Sequence, residues 1–340
     1  NEIVQQAAAN LNSAALDLMI RSSEAYFSVL SAEDNLSFAE AEKKNVQQQL
    51  NQDEQRFKVG VVAITDVYEA QARYDSSVAN VIESENDLSD QKENVRQIVG
   101  QAIENYSPLG KNFELVKPIP ANINTWVNTA LEHNPDLIAS KYGVEIADDN
   151  VSIAWAGHLP DITATGTYQG RRSNKNNIKL GTTDNYRTVW TAGANVVLPI
   201  FSGFGVVHTV HQENFNLDTS RHDLTQTYRA TESNTRQTYR NVLTAIEQVK
   251  ALEQAVISAK EALKSTQAGF EVGTRTSVDV LDRISDLYDE QRKYSAAKYA
   301  YILSTLRLKQ LAGTLRFEDL QLVNNWLKNE KSHTKDPMLK

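Results

Sequence analysis

Residues 1–107 and 200–336 contain no proline, whereas six of the seven prolines (108, 118, 120, 135, 160 and 199) fall between them and the seventh is Pro337. Proline removes a helix donor and clashes with the preceding turn, so two proline-free stretches of this length permit very long helices. Their few glycines, Gly60, Gly100, Gly203, Gly205, Gly269, Gly273 and Gly313, expose a duplication. Gly60 and Gly273 lie 213 positions apart, and so do Gly100 and Gly313. The same offset aligns Tyr26 with Tyr239, Val29 with Val242, Leu30 with Leu243, Ala32 with Ala245, Leu50 with Leu263, Phe57 with Phe270, Val59 with Val272, Asp66 with Asp279 and Gln97 with Gln310. One gapless register over this span marks a two-fold structural repeat, and a period this long excludes a solenoid. Residue 1 then corresponds to Asn214, so the chain is expected to be a fragment whose N-terminal part is missing.

Hydrophobic spacing identifies the repeated element. Val4, Ala8, Leu11, Ala15, Leu18, Ser22, Ala25, Val29, Ala32, Leu36 and Ala39 alternate by fours and threes. Val67, Ala70, Tyr74, Ser77, Val81, Ser84, Leu88, Gln91, Val95 and Ile98 do the same after Gly60. A sustained 3.5-residue period is a coiled-coil pattern, and Ala and Ser in the seam allow close helix approach. Residues 3–57 and 66–100 therefore read as one antiparallel helical hairpin turning at Lys58–Thr65. Residues 206–270 and 279–313 are its repeat, turning at Glu271–Val278.

The proline-containing middle is different. Pro118 and Pro120 break the chain before a short helix around Ile123–Glu132, and Pro135 opens another that runs to about Gly157, since proline fits the first helical turn. Two strands follow. Ile162, Ala164, Gly166 and Tyr168 alternate with Thr163, Thr165, Thr167 and Gln169; Trp190, Ala192, Ala194, Val196 and Leu198 alternate with Val189, Thr191, Gly193, Asn195 and Val197. Gly170–Asn185 reads as a polar loop between them. Strands of about ten residues with an apolar, aromatic-ended face match outer-membrane barrel strands, although a soluble amphipathic hairpin carries the same pattern.

Composition removes other classes. A net charge of −8 argues against nucleic acid as the partner, and the lack of cysteine removes thiolate chemistry and Cys-based zinc sites. No Gly-x-Ser-x-Gly, phosphate-cradling glycine loop or His-Glu-x-x-His is present, so no enzyme site and no cofactor are expected. His208 and His211 could share a metal face at helical spacing, or be surface histidines beside a strand-to-helix junction. His158, in a Gly-His-Leu-Pro turn, reads as structural.

Over essentially its whole length the chain resembles the TolC outer-membrane efflux family. The resemblance rests on Arg56-Phe-Lys-Val-Gly60-Val-Val-Ala-Ile-Thr-Asp66-Val, on Gly157-His-Leu-Pro160, on Val197-Leu-Pro-Ile200, and most strongly on Ala268-Gly-Phe-Glu-Val-Gly273-Thr-Arg275-Thr-Ser-Val-Asp279-Val-Leu-Asp282. It implies a mainly α chain with a small β part, forming a homotrimer: coiled-coil hairpins build a periplasmic α-barrel, and the strands join a transmembrane β-barrel among outer-membrane lipids. It implies a passive exit duct for drug efflux, type I secretion or both, served by a periplasmic adaptor (membrane-fusion protein) and an inner-membrane pump or ABC exporter. The expected organisation is a first periplasmic hairpin (1–100), an equatorial segment (101–134), a helix of the second repeat (135–157), the outer-membrane strands (158–205), a second periplasmic hairpin (206–313) and a further equatorial segment with the tail (314–340).

The resemblance also gives the turns a role. Asp66 with Glu69, and Asp279 with Asp282, stand at i and i+3 after each turn. Helix capping, with one acid at the N-cap and the next at N3, accounts for such pairs. The family pattern instead makes Asp279 and Asp282 constriction aspartates at a closed periplasmic tip, with Arg275 a gate-restraining residue reaching Thr65 and Asp66. Two departures stand out: Phe270 occupies a family tyrosine position, losing a hydroxyl link towards Asp66, and Lys298 replaces an arginine. Val59-Gly60-Val61 and Val272-Gly273-Thr274 are the expected adaptor-docking surfaces, against the plainer reading that glycine ends each helix. The rivals are an adaptor-like coiled-coil protein without a pore, which the long duplication and the strands disfavour, and a purely structural coiled coil.

Overall fold

The computed structural model describes residues 1–110, 113–175 and 183–327. In chain order its elements are α1 (Glu2–Lys58), α2 (Ile64–Val99), α3 (Ile123–His133), α4 (Pro135–Ala156), β1 (Asp161–Lys175), β2 (Thr183–Val197), α5 (Gly205–Glu271), α6 (Ser277–Leu311) and α7 (Phe317–Asn325). They fall into two compact units: Asn1–Ala7 with Ala139–Gln226, and Ala8–Ile138 with Thr227–Lys340.

The first unit holds the strands. They pair antiparallel from Asp161 opposite Val197 to Lys175 opposite Thr183. Both therefore extend into the expected loop Gly170–Asn185, of which residues 176–182 lie outside the described residues. Polar residues are at home in such a ladder because the backbone bonds, not the side chains, hold it. The register sets Ile162 against Val196, Ala164 against Ala194, Gly166 against Ala192 and Tyr168 against Trp190. Since alternate residues share a face, these four pairs lie on one side, with Val189 and Val197 on the other. The side of the four pairs is uncovered in the chain: Ile162, Tyr168, Trp190 and Val196 are 70 %, 73 %, 75 % and 62 % exposed.

The second unit is built on the two hairpins. A large apolar cluster joins Phe27, Val29 and Leu30 of α1 to Val242 and Ile246 of α5 and to Tyr301, Ile302 and Leu306 of α6. A smaller one joins Val46 and Leu50 to Ala70, Phe270, Val280 and Ile284 near the turns. Each fully buried aliphatic or aromatic side chain contributes roughly 1.5–3 kcal/mol. Between α1 and α6 runs a ladder of polar contacts: Glu24 with Arg307, Asp34 with Tyr299 (2.8 Å), Glu42 with Arg292 (3.1 Å) and Asn45 with Tyr288 (2.5 Å). Rising α1 numbers meet falling α6 numbers, so these helices are antiparallel. Segment 101–110 meets the chain after α7 through the Leu109–Leu327 bridge and Gly110 N–H bonding Trp326 O at 2.7 Å.

All ten expected seam positions of α2 are buried or half-buried. The α1 seam holds only from Ser22 onward; Val4, Ala8, Leu11, Ala15 and Leu18 are exposed, and Leu16 and Ile20 are buried instead. Helix α1 carries two apolar stripes, and spacing alone does not say which one meets a partner in its own chain. Helix α7, in the expected tail segment, was not foreseen. Its start is fixed by Arg316 N–H bonding Asp319 Oδ2 (2.9 Å) and by Lys309 reaching the same carboxylate (2.5 Å).

Candidate functional site

The two hairpin turns are built alike. Gly60 N–H bonds Phe57 O at 2.9 Å and Val61 N–H bonds Arg56 O at 2.9 Å. In the repeat, Gly273 N–H bonds Phe270 O at 3.2 Å and Thr274 N–H bonds Gly269 O at 2.8 Å. This is the pattern in which a left-handed residue ends a helix, and Gly60 (φ 74°) and Gly273 (φ 81°) supply it without a Cβ penalty. The glycines therefore do end their helices. Around them Val59, Val61 and Val272 present exposed apolar side chains, an unusual surface for a turn.

The acidic residues follow each turn, displaced from their expected capping positions. The N-caps are Ala63 and Thr276, which places Asp66 and Asp279 at N3. Asp66 Oδ2 accepts from Ala63 N–H at 3.3 Å, and Asp279 Oδ2 from Thr276 N–H at 2.9 Å and from Thr276 Oγ1 at 3.0 Å. Those bonds to the Thr276 backbone and hydroxyl hold the Asp279 carboxyl below the usual range. Glu69 and Asp282, one turn further on, cap nothing. Both are bonded to Arg73 of α2, whose Nε lies 3.3 Å from Glu69 and whose Nη2 lies 3.0 Å from Asp282 of α6. Arg73 thus ties the second helix of one hairpin to that of the other, a contact the sequence reading missed. Its repeat counterpart is Asp286, so the duplication gave no hint of it.

Arg275 forms no hydrogen bond or ion pair with Thr65 or Asp66 among the described residues of its own chain. Its side chain lies against Gly269, where an added Cβ would sit 2.8 Å from its Cγ, and its charge favours the ionised form of Asp279. Phe270 lacks a hydroxyl yet is held: the Arg56 guanidinium stacks 4.1 Å from its ring centroid and donates to its carbonyl at 3.1 Å. A partly desolvated cation–π contact is worth about 1–2 kcal/mol. Arg56 is therefore a second unforeseen link between the hairpins. Lys298 stands apart, 16 residues beyond Asp282 on α6 and so about 24 Å along the axis. Burial lowers its pKa, Asp34 opposes that shift, and its ammonium lies 4.9 Å from the Tyr294 ring centroid.

His208 and His211 sit edge to face with ring centroids 6.4 Å apart. Among the described residues no group of three or more His, Cys, Asp or Glu converges as a metal site, and no helix is long and apolar enough to cross a membrane.

The architecture agrees with known proteins. The chain is 39 % identical over 314 residues to the outer membrane protein TolC of Vibrio cholerae, covering 92 % of this chain and 72 % of that protein. It is 28 % identical over 309 residues to the alkaline protease secretion protein AprF of Pseudomonas aeruginosa, covering 90 % of this chain and 63 % of that one. The solved Campylobacter jejuni CmeC outer membrane channel superposes with a TM-score of 0.76 over 96 % of this chain and 69 % of that channel, at 16 % identity. The model of the outer membrane efflux protein family matches residues 2–101 and 126–314, and the chain belongs to that family.

Proposed function

We propose that the chain is a protomer of an outer-membrane exit duct, a passive trimeric channel that carries drugs, secreted proteins or both out of the periplasm. The observation that carries this reading is the strand register, which gathers Ile162, Ala164, Tyr168, Trp190 and Val196 on one uncovered face. Such a face suits hydrocarbon, with Tyr168 and Trp190 forming an aromatic edge at the lipid interface. Two strands alone leave open edges, which lipid does not tolerate, so other copies complete the barrel. The duplicated hairpins form the periplasmic part. At its tip Asp279 and Asp282 constrict the axis in three copies, Arg275 restrains the closed state by reaching Thr65 and Asp66 of a neighbouring hairpin, and Val59-Gly60-Val61 with Val272-Gly273-Thr274 meets the helical tip of an adaptor. An inner-membrane pump or ABC exporter supplies the cargo, and no catalysis is involved.

The test is assembly and conduction of the full-length protein. It is expected to run as a detergent-resistant trimer by light scattering and to form channels in planar lipid bilayers. A detergent-free monomer, or a trimer that conducts nothing, contradicts the reading.

A further inference from the structure

Asp53 is a wholly buried carboxylate, 0 % exposed, between α1 and the start of α6. Ser277 Oγ donates to its Oδ2, and Gln49 Nε2 donates both to its Oδ1 at 3.0 Å and to Ser277 Oγ at 3.1 Å. Ser277 and Gln49 are themselves buried. The charged groups facing the site are Arg56 on α1 and Asp66 at the start of α2; α6 contributes only the Ser277 hydroxyl. Arg56 is turned to Phe270 and makes no bond to Asp53. The repeat counterparts of Gln49, Asp53 and Ser277 are Ala262, Thr266 and Ile64, so the duplicated junction carries no carboxylate. An ionised group buried without a bonded cation is costly, and a brace confined to one junction is not explained by the fold repeat.

We propose that Asp53 is a positioning residue of the tip, a proton-operated latch that holds the second hairpin against the first when neutral and lets them part when ionised. This rests on the tip being a gate. Burial pushes the Asp53 carboxyl above the usual range, outweighing the Ser277 and Gln49 donors that favour its ionised form. When the hairpins part, water reaches the group and its affinity for protons falls to that of an ordinary aspartate. The joined state thus binds the proton more tightly. Its advantage is complete in acid and is lost as pH rises through the raised value. Each unit of separation between the two pKa values shifts the balance about tenfold per copy. Asp279, held below the usual range, stays ionised across that window.

The experiment is single-channel conductance of the full-length trimer in planar bilayers from mildly acidic to mildly alkaline pH. Wild type is expected to rise several-fold in conductance with pH. Asp53→Asn, neutral at every pH, is expected to stay at the acid level throughout. Ser277→Ala removes a donor to the ionised form and is expected to move the rise to higher pH. A wild type without pH dependence, or an Asp53→Asn profile like that of wild type, overturns the latch. Should Asp53→Asn fail to assemble, Ser277→Ala decides, and an unmoved profile overturns the proposal. Arg275→Ser in the same bilayers separates the two readings. If it opens the channel while the Asp53 profile is unchanged, the latch falls and the gate stands; if neither variant alters conductance, the gate falls as well.

Discussion

At the residue scale, the acids after each turn serve two purposes that the structure separates. Asp279 is engaged by the Thr276 backbone and hydroxyl, while Asp282 shares Arg73 with Glu69. The arginine already offsets part of the Asp282 charge, and a half-exposed pair of this kind is worth about 0–1 kcal/mol. Changing both Asp279 and Asp282 to Asn should therefore leave assembly intact while weakening cation selectivity and block by multivalent cations. Reversal potentials in a salt gradient check this, with the Asp279 change expected to have the larger effect; unchanged selectivity would leave capping as the whole role of Asp279 and the Arg73 ion pair as that of Asp282. Spacing alone brought the two acidic pairs to notice, because i, i+3 acids after a glycine turn are visible in one dimension. Arg56, Arg73 and Asp53 were not visible that way. Their partners in the other hairpin lie over 200 positions away, and the duplication holds no matching residues to flag them.

At the scale of elements, proline absence and the fixed offset placed each long helix to within a residue or two. Helix ends were legible because Gly60 and Gly273 punctuate both hairpins in the same way. The stripe of α1 that packs within the chain was not, since a two-striped helix satisfies the same periodicity either way. Strand length failed for a related reason: residues 170–175 and 183–185 are polar but ladder-bonded. The turns yield a sharper test of docking than a bulky replacement would. A Cβ at either glycine meets nothing within 4 Å, so only the left-handed backbone resists substitution. Asn tolerates that conformation. Gly60→Asn with Gly273→Asn should keep the turns and the trimer yet abolish efflux, read as drug susceptibility of cells that depend on this duct. Full efflux in the double variant would contradict the docking assignment.

At the scale of the whole molecule, one chain is an unfinished object. It leaves an apolar strand face and apolar α1 positions such as Val4, Leu11 and Leu18 uncovered. On the proposed reading closure by further copies covers both, and a tip lined by three sets of turns would be the place to control passage. Arg275, unbonded to Thr65 and Asp66 in its own chain, is available to a neighbouring one. A charge-assisted bond there is worth roughly 1.5–3 kcal/mol when partly desolvated and less when exposed. Three such bonds amount to several kcal/mol, enough to shift an open–closed balance by about a hundredfold or more. The most direct test of a duct closed at its tip is single-channel conductance of the full-length Arg275→Ser trimer in planar bilayers at low salt. The account predicts conductance several-fold above wild type with assembly unchanged; conductance equal to wild type would contradict it.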